Sequence, residues 1–170
     1  MNKNPRNQPI ELERLAPGLR RYARALVARE AADPVREADA LTRDTLARAA
    51  RVERAGRIGN HRLWLYATLV TLNRARLRAR SEVADNAKSS RQSVTEAVGG
   101  LPLDQREALL LVVLEGFTYA EAANVLGLPR PAVAIRLARA RMFLAERLAT
   151  DRLEPGPKPL SAHPHLRVVK

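Results

Sequence analysis

The apolar positions Ile10, Leu12, Leu15, Leu19, Tyr22 and Leu26 recur at helical spacing, which predicts an amphipathic helix over roughly residues 9–30. Asp33-Pro34 restarts the chain. The aspartate can cap a helix, and a proline at the first helical position gives up an amide that has no partner there. A second helix should reach about Arg51; Gly56 and Gly59 break it, and a third should fill residues 61–80. On the third helix Leu65, Leu69 and Leu72 share one side, with Leu63, Tyr66, Val70 and Leu77 on the adjoining arc. That leaves Trp64, Thr68, Thr71, Arg74 and Arg78 outward. Leu101-Pro102 opens a further helix to Glu115, stopped by Gly116 as a left-handed cap. Thr118-Tyr119-Ala120-Glu121 is a capping box for a short helix that ends at Gly127. After Leu128-Pro129, Pro131 can open a last helix to about Thr150. Its buried stripe should be Val133, Leu137, Ala140, Leu144 and Leu148, with Ala132, Ile135, Arg136 and Arg139 outward.

The expected fold is therefore all-α, with two small helical modules at 9–80 and 101–150. Residues 81–100 are small and polar and end in a glycine pair, so they are expected to form a linker. The prolines at 155, 157, 159 and 164 predict a disordered tail over 151–170.

Composition sharpens this outline. The 170 residues carry 30 Lys and Arg against 18 acids, a net +12 and a pI near 11.3, which points to a polyanion and to nucleic acid ahead of a membrane surface. The excess is local: residues 9–80 hold sixteen arginines and eight acids, and 61–80 hold five arginines and no acid. With no cysteine, disulfides, thiolate metal sites and a cysteine nucleophile are excluded. No apolar run is long enough to span a bilayer and the N-terminus has no apolar signal core, so a soluble cytoplasmic protein is expected. His61, His163 and His165 are the only histidines, and no metal site or other cofactor is expected from them. No phosphate loop or nucleophile elbow occurs, so an enzyme is the least favoured class.

A short helix and a long one joined by a tight turn containing Gly127 make a helix-turn-helix. The run from Leu101-Pro102-Leu103-Asp104-Gln105-Arg106-Glu107-Ala108-Leu109-Leu110-Leu111 through Glu115-Gly116-Phe117-Thr118-Tyr119-Ala120-Glu121-Ala122-Ala123 and Leu126-Gly127-Leu128-Pro129 to Arg141 closely resembles region four of extracytoplasmic-function sigma factors. That family's pattern reads roughly LPxxQREALLL, then EGxSYxEIAxxLGxPxGTVKSRLxRAR. Residues Glu37 to Ala49, Trp64-Leu65-Tyr66 and Arg76-Leu77-Arg78-Ala79-Arg80 resemble its region two in order and spacing.

The resemblance implies a transcription initiation subunit that catalyses no covalent reaction. Its partners would be core RNA polymerase, gripped at the beta-prime coiled coil by region two and at the beta flap by region four, promoter DNA, and an anti-sigma factor. It places promoter reading in region four on Arg130, Ala132, Ile135, Arg136 and Arg139, and in region two on Trp64, Thr68, Thr71, Arg74 and Arg78. Polymerase binding falls on Asp39, Ala40, Arg43 and Asp44. Trp64 and Tyr66 are candidates to stack on an unpaired base; the ordinary alternative is that both are core residues.

Several of these positions depart from the family. Ala40 and Arg43 stand where it has Asp and Gln, Val70-Thr71 where it has Arg-Asn, and Ala132, Ala134 and Ile135 where it has Thr, Lys and Ser. Two alternatives therefore stand beside a sigma factor: a degenerate sigma mimic that binds an anti-sigma factor, and a helix-turn-helix regulator independent of polymerase.

Overall fold

A computed structural model describes residues 8–53, 58–81 and 94–153. It contains α1 (Gln8–Val27), α2 (Pro34–Glu53), α3 (His61–Ser81), α4 (Val94–Gly99), α5 (Leu103–Leu109), α6 (Tyr119–Leu126) and α7 (Arg130–Leu153), with a π-helical turn, Leu110–Leu114, continuing α5. Among the described residues there is no strand.

The capping chemistry accounts for most boundaries. Asp33 Oδ1 accepts the Arg36 N–H at 3.0 Å and Asn60 Oδ1 accepts that of Leu63 at 3.0 Å, starting α2 and α3. Before α6, the Thr118 hydroxyl accepts the Glu121 N–H at 3.2 Å while the Glu121 carboxylate accepts the Thr118 N–H at 2.9 Å. Gly116 and Gly127 adopt φ of 66° and 67°, the left-handed geometry that stops each preceding segment.

The expected helix to Glu115 is regular only to Leu109. Beyond it the bonds lengthen in register, with Glu115 N–H donating to the Leu110 carbonyl and Phe117 N–H to that of Leu111. Helix α4 lies wholly inside the stretch expected to be linker, and α7 runs three residues past Thr150. The remainder of the expected linker, 82–93, and the tail beyond Leu153 lie outside the described residues.

One apolar core runs through both halves of the chain: Leu19, Tyr22 and Leu26 of α1, Leu41 of α2, Leu65 and Leu69 of α3, then Leu111, Phe117, Val133 and Leu137. Tyr66 joins them, its ring edge-on to Tyr22 at 5.3 Å and to Phe117 at 4.9 Å. A polar seam closes the same junction. Arg74 of α3 grips the buried Glu107 of α5 with two bonds of 2.9 and 2.6 Å. Glu115 accepts two bonds from Arg21 at 3.0 Å and one from the Tyr66 hydroxyl at 2.6 Å. Gly18 permits this approach, since a Cβ there would lie 2.9 Å from the Tyr66 hydroxyl.

Among the described residues Arg106 is the cation with the most hydrogen bonds to the interior, 2% exposed. It donates to the carbonyls of Leu26, Val98, Gly99 and Leu101 and to Glu30, tying the end of α1 to α4 and the start of α5.

Candidate nucleic-acid interface

α6 and α7 are joined by the turn at Gly127, where the Leu128 N–H closes onto the Ala123 carbonyl at 2.9 Å. Ala122, Ala123, Val125 and Leu126 bury one face of α6 against Val133, Leu137 and Ala140 of α7. The opposite face of α7 is turned to solvent: Arg130, Ile135 and Arg139 are exposed and Ala132 is half-buried. Arg136 is drawn aside, its Nε 3.4 Å from Asp104 and its side chain 23% exposed. The expected buried stripe ends early. Leu144 is half-buried and Leu148 is 41% exposed, because α7 outruns the helices that cover it.

The surface of α3 differs more from expectation. Trp64 and Thr68 are half-buried and, with Arg48, Ala67 and Thr71, line an open groove of about 280 Å³. The Thr71 hydroxyl donates to its own helix at Ala67, 2.8 Å away. Arg78 is exposed, as expected. Arg74 is not outward-facing: its guanidinium is committed to Glu107, which would otherwise be a buried unpaired carboxylate. Tyr66 is 2% exposed and takes the core role, so it is not available to stack on a base. Burial and the bond to Glu115 push its hydroxyl well above the usual phenol range.

The other arginines of α3 are also engaged within the protein. Arg76 bridges Glu37 at 3.0 Å and Asp44 at 2.6 Å, and Arg80 reaches Glu37 at 2.6 Å. Arg62 donates to the Glu115 carbonyl and lies 3.8 Å above the Phe117 ring. Three of the five arginines of α3, Arg74, Arg76 and Arg80, are thus paired with acids of other helices, which charge counted along the chain does not reveal.

On α2, Arg43 and Asp44 are exposed, while Asp39 and Ala40 are half-buried. Asp39 pairs with Arg20 at 2.9 Å and lies 3.9 Å from Arg24. These positions share one side of the helix, but both carboxylates already have cationic neighbours. Sequence reasoning missed the roles of Arg106, Glu107, Glu115, Arg21 and Arg62. The one signal available was a charged Arg106-Glu107 pair directly before the apolar run Ala108-Leu109-Leu110-Leu111.

Among the described residues no group of three or more His, Asp or Glu side chains is arranged to hold a metal ion, and no helix is long and apolar enough to cross a membrane. Among the described residues the surface holds an exposed face of α7 in one half, and a groove beside Trp64 and a charged face of α2 in the other.

Residues 91–144 match the family "Sigma-70, region 4". The chain is 32% identical over 134 residues to the ECF RNA polymerase sigma factor EcfG of Rhodopseudomonas palustris, covering 69% of this chain and 74% of that protein. Among solved structures, the sigma factor RpoE in complex with the anti-sigma factor NepR, from Bartonella quintana, is similar with a TM-score of 0.70 at 27% identity, over 86% of this chain and 99% of the other. CnrH, solved in complex with the cytosolic domain of CnrY, gives a TM-score of 0.65 at 29% identity, over 87% of this chain and 91% of the other. The chain belongs to the extracytoplasmic-function RNA polymerase sigma factors of the sigma-70 family.

Proposed function

We propose that this sigma factor joins core RNA polymerase through the face of α2 bearing Asp39, Ala40, Arg43 and Asp44 and places α7 on the upstream promoter element. In this reading the division of labour is 9–80 for polymerase binding and promoter opening and 101–150 for upstream recognition. Region two meets the beta-prime coiled coil and region four the beta flap. The observation that carries it is the α6-turn-α7 unit, whose recognition helix is buried through Val133 and Leu137 and presents Arg130 and Arg139 to solvent. Trp64 is the aromatic left for an unpaired base, since Tyr66 is in the core, and Arg48 beside it supplies a cation for the backbone.

The test mixes the purified chain with core polymerase and runs transcription from a promoter library. The reading expects a stable complex with core and transcripts that depend on promoter sequence. Neither appearing would overturn it.

A second reading is that the chain is held by an anti-sigma factor. It is supported by the likeness to RpoE, which was solved with such a partner, and by the joined state of the two halves here. A small protein that copurifies from cells and is displaced by core polymerase supports both readings together. Copurification with no binding to core would leave the sigma mimic. Tight duplex binding by the chain alone would instead favour a polymerase-independent regulator.

A further inference from the structure

We infer that α7 reads its promoter element chiefly through an apolar contact from Ile135 to a thymine methyl, with Arg139 fixing a nearby guanine. This rests on the promoter-reading role of α7 proposed above and names the bases it selects.

The inference comes from what the outward face holds. Taking about 100° per residue, Pro131, Ala132, Ala138, Arg139 and Met142 lie within about 60° of Ile135. Ile135 is 53% exposed and Met142 72% exposed, and Ala138 and Arg139 are also exposed. Ala132 and Ala138 have no hydrogen-bonding side chain and are small enough to let the helix backbone approach a groove floor. Arg136, the cation one turn before Ala140, is turned to Asp104. The Arg139 side chain has no hydrogen-bond or ion-pair partner among the described residues, so its five donors are free for a base edge.

Base-edge chemistry then restricts the reading. In the major groove an isoleucine has one favourable partner, the C5-methyl of thymine, and arginine pairs bidentately with guanine O6 and N7. Positions 135 and 139 are one helical turn apart, roughly 6 Å along the axis, which spans about two base steps. The element should therefore hold a thymine with a guanine no more than about two steps away.

An exposed isoleucine and methionine would also suit a protein partner. Charge favours DNA: between Glu121 and Glu146 there is no acid, while Arg130, Arg136, Arg139 and Arg141 all fall in that interval.

The experiment uses holoenzyme assembled from the full chain and core polymerase. Bound fragments are selected from a duplex library randomised in the upstream element, and each thymine recovered is then replaced singly by deoxyuridine. One position should show a loss of roughly fourfold in complex formation, the worth of one buried methyl. Ile135→Ala should bind thymine and deoxyuridine equally there, and Ile135→Val should keep the distinction. Because Ile135 is exposed, neither variant should alter the melting transition. Arg139→Ala should relax the preference at the neighbouring guanine by roughly tenfold. The inference is overturned if the selected element lacks thymine, if no thymine responds to loss of its methyl, or if Ile135→Ala keeps the wild-type response. It is also overturned if Ile135 proves to be covered by a protein while holoenzyme binding ignores the substitution. Absence of any polymerase-dependent transcript would instead remove the sigma reading itself.

Discussion

Glu107 has only 1% of its side chain exposed, and Arg74, 33% exposed, is the cation that meets it. The pair is asymmetric. Removing the arginine strands a carboxylate in the interior, whereas removing the carboxylate leaves a guanidinium that can turn toward water. Arg74→Ala should therefore cost about 3–5 kcal/mol and Glu107→Ala clearly less, read from denaturant midpoints. Equal costs would contradict this account of the seam. Arg74 also marks where sequence reasoning stopped. Helical phase put it on the same side as Trp64 and Thr68, but phase gives direction from its own axis only, and a neighbouring helix carrying a buried acid lies in that direction. Tyr66 was ambiguous for a related reason, since an aromatic with a polar tip fits a base stack or a core with one hydrogen-bond acceptor, and Glu115 supplies the acceptor.

At the scale of elements, the caps were legible because their chemistry is local. Asp33, the Thr118 and Glu121 box, Gly116 and Gly127 each act within a few residues of themselves. The π turn after α5 was not, because the Leu110–Leu114 run carries no proline or glycine to announce it. Thr118→Ala should destabilise α6 by about 1 kcal/mol, measurable by chemical denaturation. The box also has a pH dependence. Hydrogen bonds from the Thr118 amide and hydroxyl hold the Glu121 carboxyl below its usual range. Its stabilising contribution is thus complete above the unfolded-state pKa and is lost as pH falls through the lower folded value. Glu121→Gln should flatten the acid limb of the stability profile, and an unchanged limb would show that the box does not titrate with folding.

The whole molecule is closed by groups that the chain keeps far apart: Arg21 and Tyr66 meet Glu115, and Arg106 reaches back to Leu26. Such pairings of high sequence separation were invisible in the one-dimensional charge count. Of the arginines behind the +12, Arg62, Arg74, Arg76 and Arg80 of α3 are engaged within the protein, whereas the Arg139 side chain of α7 is free among the described residues. Glu115→Ala should loosen the junction. Hydrogen exchange should rise for amides of α1 and α3 that face it while α6 and α7 keep their protection, since their mutual packing is independent of Glu115. Exchange unchanged in α1 and α3 would show that the apolar core alone holds the halves together.

Opening of promoter DNA tests the central claim most directly. Core polymerase, a promoter fragment selected by the holoenzyme, and permanganate to mark unpaired thymines suffice. With the wild-type chain a short downstream segment should become reactive, and Trp64→Ala should weaken that reactivity while upstream binding through α7 persists. Reactivity no greater than with core polymerase alone would contradict the account.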